Sequence, residues 1–593
     1  MCKLQLKFQP DLSYQLQAIN SVIEIFKGQP VRNTGFALSF GDGAGIVQTD
    51  LGIGNRLLLT KDEILKNVQA VQRSNGLPAS KDLEELQFSI EMETGTGKTY
   101  VYLRTIYELN RQYGFAKFVI VVPSVAIREG VYKSLQITED HFNELYDREP
   151  LEYFIYDSNR LERLAHFAAA NSIQVMVMNI DAFRKGFLAP DKGEKSNIIH
   201  RENDCLNGLR PIEFIQQAKP IVIIDEPQSV DTTAKSKAAI ASLNPLSVFR
   251  YSATHVDKHH LIYRLSAADA YAKGLVKKVE VISIRSEKTS KEPYIKLLDV
   301  FEQGAKVELD AKIGEKIKRT AKTVKDGDLL YEISGKMEGY ENYTVDQIEW
   351  GEGVKSIKVN GKTLHVGQSL GGYYEDLEKR HQIRRTIETH LDKELDLLPK
   401  GIKVLSLFFI DKVANYRIYK EGGISEKGKY AIIFEEEYNK LIQNSKYEQL
   451  KKYYGSAEKI HNGYFARDKK GRLKDTKGNT KADFDVYSLI MKEKERLLSL
   501  NEPLRFIFSH SALREGWDNP NIFQICTLKD SPGTYVSRRQ EIGRGLRLAV
   551  NDLGERIADQ EINKLTMIVN ESYEQFVANL QKEMGEDGGL SSE

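Results

Sequence analysis

Three stretches carry side chains whose types and spacing could do chemistry. The first is IEMETGTGKTY, residues 90–100. Small residues at Thr94, Gly95, Thr96 and Gly97 let backbone N–H groups converge on a phosphate. Lys98 adds a mobile positive charge and Thr99 a hydroxyl that can ligate Mg²⁺. The common form of such a loop, GxxxxGK[ST], has glycine at the first position, where this chain has Met92. The second stretch is IVIIDEPQ, residues 221–228, four apolar residues running into two carboxylates. Asp225 can hold Mg²⁺, directly or through water, and Glu226 can orient and deprotonate an attacking water. The third is QEIGRGLRL, residues 540–548. Gln540, Arg544 and Arg547 stand at i, i+4 and i+7, so the spacing predicts one helical face bearing all three. Two guanidiniums there can meet a γ-phosphate from across a cleft.

These residues need elements to position them. LQFSIEM (86–92), KFVIVVP (117–123), SIQVMVM (172–178), KPIVIID (219–225) and SVFRYS (247–252) read as strands buried on both faces of a parallel sheet. Stretches of helical spacing such as YVYLRTIYELNRQY (100–113) lie between them. The alternation predicts a doubly wound α/β unit whose ligands sit at the carboxyl ends of its strands. A second unit is predicted from IKVLSLFFID (402–411), LRFIFSHS (504–511), NIFQICTL (521–528) and LTMIVN (565–570). Residues 285–372 break this rhythm with short alternating runs, and VNGKT carries an Asn-Gly hairpin signal. They are expected to form a small β-rich insertion. The stretches 141–169 and 371–398 read as solvated helices, and 468–483 as a polar loop.

The chain has 593 residues, too many for one core. Its net charge of +1 does not advertise nucleic-acid binding, yet a basic groove can be offset by acidic surface elsewhere. Cys2, Cys205 and Cys526 stand far apart, which argues against a disulfide framework or a zinc site and suits a reducing cytoplasm. No apolar run approaches the ~20 residues that span a bilayer, so no membrane partner is expected.

Taken together, the stretches resemble superfamily 2 helicases and translocases. Tyr14-Gln15 in DLSYQLQAI resembles the upstream glutamine motif that reads adenine. METGTGKT (92–99) resembles motif I, where the family tolerates residues other than glycine at the position of Met92. VVPSVAIREG (121–130) resembles motif Ia and DEPQ (225–228) motif II. SATH (252–255) resembles motif III, with Ser252 and Thr254 coupling hydrolysis to movement. REGWDNP (514–520) resembles motif V, with Asp518 on the nucleotide side, and QEIGRGLR (540–547) motif VI. A narrower resemblance, to the Res subunit of Type III restriction–modification enzymes, is carried by FIFSHSALREGWDNPNIFQICTL (506–528), HNGYFARDKKG (461–471), YSLIMKEKERLLS (487–499) and the DEPQ box.

The resemblance implies two RecA-like parallel-sheet motor domains in tandem, 1–275 and 276–593, with the β-rich insertion 285–372 inside the second. It implies ATP and Mg²⁺ as cofactors, double-stranded DNA as track, and a methyltransferase (Mod) subunit as the partner that reads sequence. Family position assigns Ser124, Arg128, Asn179 and Arg514 to the DNA track. The family's Res chains usually continue into a PD-(D/E)xK nuclease. PDKGEK (190–195) has the letters but no room for the intervening strand. No DNA cleavage is therefore expected from this chain alone. Two alternatives stay open: another superfamily 2 DNA motor of a defence or repair system, and a nucleotide-binding DNA scaffold without turnover.

Overall fold

The structure, a computed structural model, describes residues 6–30, 46–184, 196–253, 255, 257–284, 293–314, 316–351, 354–370, 373–419, 425–465, 496–510, 519–529 and 535–569. Strands β1 (Gln87–Met92), β2 (Lys117–Val122), β3 (Leu151–Ile155), β4 (Ile173–Asn179), β5 (Ile221–Asp225), β6 (Ser247–Ser252) and β7 (Leu261–Leu265) form one sheet in the order β3-β4-β2-β5-β6-β1-β7. Every pairing in it is parallel. The physical reason is the run of apolar residues: β2, β4, β5 and β6 are buried at every position, so both faces must be covered by helices. Those helices include α1 (Ser13–Ile23), α2 (Lys98–Tyr113) and α3 (Val125–Leu145).

One expectation for this lobe fails. The stretch 141–169 is not helical throughout: α3 ends at Leu145 and Leu151–Ile155 is the edge strand β3. Asp147 and Arg148 both take positive φ, a turn that a continuing helix cannot make.

The second sheet has β8 (Lys278–Ser283), β9 (Leu405–Phe409), β10 (His461–Tyr464), β11 (Phe506–Ser509), β12 (Ile522–Thr527) and β13 (Lys564–Val569) in the order β8-β13-β12-β9-β11-β10. It too is wholly parallel. Between β8 and β9 lies the β-rich insertion: a four-stranded and a three-stranded antiparallel sheet over 295–370, sharing a core that includes Ile295, Leu297, Val307, Leu309, Tyr340 and Ile357. Asn360 and Gly361 both have positive φ, as a two-residue hairpin turn requires. The long helix α4 (Tyr373–Leu397) follows. It is not simply solvated, because Ile383, Ile387 and Leu391 enter the core of the second lobe and Gln382, Thr386, His390 and Glu394 are buried beside them. The loop 468–483 lies outside the described residues.

The three chemical stretches correct one further expectation. Helix α5 (Tyr535–Gly543) stops at Gly543, so Gln540, Arg544 and Arg547 do not share a helical face. Gln540 is exposed on the helix, while Arg544 and Arg547 lie in the turn beyond it. Packing explains the stop. A Cβ on Gly543 would stand 2.8 Å from Thr94 Cγ2, and one on Gly545 2.5 Å from Leu565 Cδ1. The chain passes too closely between the phosphate-type loop and β13 for regular helix to continue with side chains there.

Candidate active site

Strand β1 ends at Met92, which is fully buried, and the loop 93–97 turns the chain into α2. Glu93 N donates to Leu265 O (3.1 Å), pinning the start of the loop to the neighbouring strand. Gly95 and Gly97 take φ of +88° and +94°, values that disfavour any side chain. At Gly97 a Cβ would also stand 2.6 Å from Gln15 Nε2. Tyr14 Oη and Gln15 Nε2 both donate to Thr96 O, at 3.0 and 2.9 Å, so α1 braces the loop from below. In this structure the side chains assigned to adenine recognition hold the loop's backbone.

Across the sheet, β5 delivers Asp225 and Glu226. Lys98 Nζ lies 2.8 Å from Glu226 Oε1. Glu226 has φ +54°, ψ +60°, a left-handed conformation that costs a non-glycine residue about 1 kcal/mol or more. Gln228 Nε2 donates to Glu226 Oε2, and Ser252 Oγ donates to Gln228 Oε1 at 2.9 Å. That relay joins the acid pair to the end of β6, and Gln228 is a site residue that sequence reasoning did not single out. Thr254 lies outside the described residues.

The electrostatics are those of a site short of positive charge. Burial pushes the Asp225 carboxyl well up, and the neighbouring Glu226 charge pushes it further. Burial acts the same way on Glu226, but the Lys98 ammonium and the Gln228 amide outweigh it and hold that carboxyl down. Lys98 itself is raised, since Glu226 and Asp225 overcome its desolvation. Tyr102 was also missed: one turn along α2, its hydroxyl donates to Asp225 Oδ2 (3.3 Å) and meets Thr99 as well. It therefore touches both residues that can ligate a metal. Its position i+3 from Thr99 was the available signal.

The other lobe closes over this loop. A Cβ on Gly95 would stand 3.2 Å from Arg547 N, which places the arginine turn in contact with the loop. Arg539 Nη2 reaches Glu93 Oε2 at 3.0 Å, an ion pair between lobes that sequence reasoning did not foresee. Arg544 is buried and Arg547 half-buried. Asp518 and Arg514 lie outside the described residues.

These residues fit a nucleoside triphosphate with a divalent cation. The loop is a cradle that a Cβ would fill, Lys98 is a phosphate partner now held by a carboxylate, and Asp225 is a carboxyl that a cation would keep ionised. One or two carboxylates suffice for Mg²⁺, which takes its other ligands from phosphate and water.

The family model described as Type III restriction enzyme, res subunit, matches residues 10–257, from ahead of α1 to the end of the motif III segment. This chain is similar to the Res subunits of Type III restriction enzymes. It is 31% identical over 528 residues to the Res subunit of EcoP15I from Escherichia coli, an overlap covering 85% of this chain and 52% of that protein. Against the EcoPI Res subunit of Escherichia phage P1 the identity is 30% over 575 residues, covering 93% and 56%. The chain thus spans about half the length of the curated relatives it matches. Among solved structures, Mycobacterium smegmatis helicase Lhr bound to ssDNA and AMP-PNP gives a TM-score of 0.40 at 11% identity, covering 84% of this chain and 46% of that one.

Three of the residues that the sequence resemblance assigns to a DNA track, Ser124, Arg128 and Asn179, lie at the carboxyl edge of the first sheet. Ser124 caps α3, its Oγ accepting from Ile127 N at 3.3 Å. Asn179 is also occupied with backbone: Nδ2 donates to Pro123 O (3.3 Å) and Oδ1 accepts from Asp181 N (2.8 Å). Arg128 lines a cavity of about 450 Å³ together with Tyr156, Asp157, Ser158, Asn197 and Ile198. Among the described residues, the Nε of Arg128 and the hydroxyl of Tyr156 are buried there without a hydrogen-bond partner.

Proposed function

We propose that this chain is a DNA-dependent ATPase, the motor of a Type III restriction–modification system. The observation that carries the reading is the meeting of Lys98, Asp225 and Glu226 from one parallel sheet with the Arg544–Arg547 turn from another. The division into motor domains 1–275 and 276–593, with 285–372 inserted in the second, is supported by the strand membership of the two sheets. A bound ATP would supply the β–γ phosphoanhydride bond, which would break as water oxygen bonds to the γ-phosphorus and ADP leaves with the bond's electrons, while Mg²⁺ would offset the phosphate charge. Lys98 leaves Glu226 for the phosphates, which frees Glu226 to take a proton from the attacking water. Thr99 and Asp225 hold the cation. Arg544 and Arg547 neutralise charge from the far side, with Gln540 at the end of α5 orienting water or phosphate. Both lobes then depend on the γ-phosphate, and its loss releases their contact. The Glu226–Gln228–Ser252 relay carries the state of the acid pair toward the end of β6.

Double-stranded DNA is the proposed track, crossing the carboxyl edge of the first sheet and gripped through its phosphates. Arg128 is its anchor there, while Ser124 and Asn179 shape the backbone around it. A sequence-reading methyltransferase is the proposed partner and the cytoplasm the proposed compartment. The test is ATP hydrolysis with and without duplex DNA. Lys98→Ala and Glu226→Gln should each remove DNA-stimulated turnover, and wild-type turnover in either variant would sink the reading. Nucleotide and DNA binding with no hydrolysis in the unaltered protein would favour a scaffold.

A further inference from the structure

Residue 277 lies in the linker between the two sheets. Its neighbour Val276 belongs to the first lobe's core, and β8 of the second lobe begins one residue later. Lys277 is fully buried, and among the described residues no carboxylate pairs with it. An ammonium taken out of water without a counter-ion is costly unless its donors are satisfied. Here all three are. Nζ donates to Gly545 O at 3.2 Å, to Arg547 O and to Pro520 O. The ammonium also stands 4.7 Å from the ring centroid of Phe523, a modest further stabilisation. The backbone N–H of the same residue donates to Leu546 O at 2.8 Å. One linker residue therefore takes the carbonyls of 545, 546 and 547 in succession.

Those carbonyls belong to the turn that bears Arg544 and Arg547. Because α5 ends at Gly543, no helical ladder fixes this turn, and the backbone bonds it makes within itself among the described residues are short-range, Gly545 N to Ile542 O (2.9 Å) and Leu546 N to Gly543 O (3.5 Å). Leu546 packs against core residues of both lobes. We propose that Lys277 is a positioning residue of the nucleotide cleft: its ammonium and amide hold the arginine turn against the phosphate loop and tie that turn to the linker about which the lobes move. The proposal rests on the ATPase reading above. A lysine suits the task because its compact head offers three donors that can reach three separate carbonyls, whereas arginine presents a flat fork.

The fold supplies a control. Lys403 is also fully buried and also capped by carbonyls, Ser499 O (2.9 Å) and Glu502 O (2.7 Å), but these lie in a turn that carries neither arginine. The full chain is assayed as Lys277→Met, Arg547→Ala, the double variant and Lys403→Met, measuring kcat, the Kd of a fluorescent ATP analogue and the melting temperature. Lys277→Met should lower kcat about 10²-fold and leave Kd within about 3-fold. In the Arg547→Ala background the same change should cost several-fold less, because one of the turn's two arginines is then already lost and only Arg544 is left to misplace. Lys403→Met should lower the melting temperature and leave kcat alone. If Lys277→Met does not fold, Lys277→Gln, which still donates twice, carries the same cycle. Equal losses in both backgrounds, parallel loss of Kd and kcat, or an unchanged kcat would each overturn the proposal. The unaltered chain and Lys98→Ala separate the two readings: no hydrolysis in the former overturns both, whereas a Lys98-dependent ATPase indifferent to Lys277 overturns this one alone.

Discussion

Glu226 and Glu394 each sit beside a cation, one in each lobe, and the protein treats them in opposite ways. Glu226 has Lys98 and Gln228 for company, a left-handed backbone, and 29% of its side chain open to the cleft. Glu394 is sealed in the second lobe. Arg505 Nε meets its Oε1 at 2.8 Å, His390 Nε2 its Oε2 at 3.0 Å, and Tyr454 donates to the same oxygen. His390 Nδ1 is in turn 2.7 Å from Ser406 Oγ. Serine, histidine and glutamate thus stand at the distances of a nucleophilic triad, yet all are buried and nothing can reach them. A charge with every partner in place stabilises one conformation. A charge held in a strained backbone, beside a carboxyl that burial has pushed up, is poised to exchange partners, and that is what a ligand needs.

The largest expected effect separates the two on turnover. Glu226→Gln keeps the shape of the side chain and removes the base, so DNA-stimulated hydrolysis should fall by about 10³-fold with little change in melting temperature. Glu394→Gln should do the reverse. It leaves Arg505 buried without its counter-charge, a loss of about 3–5 kcal/mol, read as faster hydrogen exchange in second-lobe peptides while kcat per folded molecule holds. If Glu226→Gln melted the first lobe at unchanged turnover, the contrast would be void.

Acid should discriminate between them as well. Burial holds His390 below its ordinary value, and Arg505 and Lys403 add to the effect against the pull of Glu394. Glu394 is held down too: burial would raise it, but Arg505, His390 and Tyr454 prevail. For both groups the unfolded chain binds the more protons, so their stabilisation is complete above the unfolded values of 6.5 and 4.5 and is lost as pH falls through the folded ones. In the cleft the shifts oppose each other. Asp225 is raised, so its carboxyl costs stability as pH rises above 3.8, while Glu226 is lowered and acts the other way. Acidification from neutral to about pH 5 should therefore lower the exchange protection factors of second-lobe peptides such as those around His390 more than those of peptides around Asp225.

What was legible in the chain was local. The strand–loop–helix of 87–113 and the strand ending in Asp225-Glu226 are each specified by neighbours in sequence, through buried β-branched runs and glycines where φ is positive. The end of α5 was not legible, because Gly543 and Gly545 answer to Thr94 and Leu565, which are distant in sequence. The strand Leu151–Ile155 hid inside a charged stretch because an edge strand buries little. Helix α4 looked solvated because its inward ladder of Gln382, Thr386, His390 and Glu394 is polar, and only the partners waiting in the core reveal it. Gln228, Tyr102 and Lys277 share that character: each is ordinary by type and defined by what it touches.

The smallest effect is the sharpest test of the comparison, because it removes one hydroxyl from each carboxylate. Tyr102 is fully buried, and its hydroxyl is pushed well up first by burial and then by Asp225, so it stays a donor at any accessible pH. Tyr102→Phe takes a hydrogen bond from Asp225 and leaves the packing intact. The carboxyl should rise further and hold a cation less well, which predicts a loss of a few-fold in kcat that added Mg²⁺ partly restores, with a stability change of about 1 kcal/mol or less. Tyr454→Phe takes the same bond from Glu394, whose remaining partners Arg505 and His390 keep it charged. It should cost about 1–2 kcal/mol in second-lobe stability and nothing in turnover. The two variants are chemically identical, so an exchange of their phenotypes would mean that the sealed network, rather than the cleft, is where the chemistry is set.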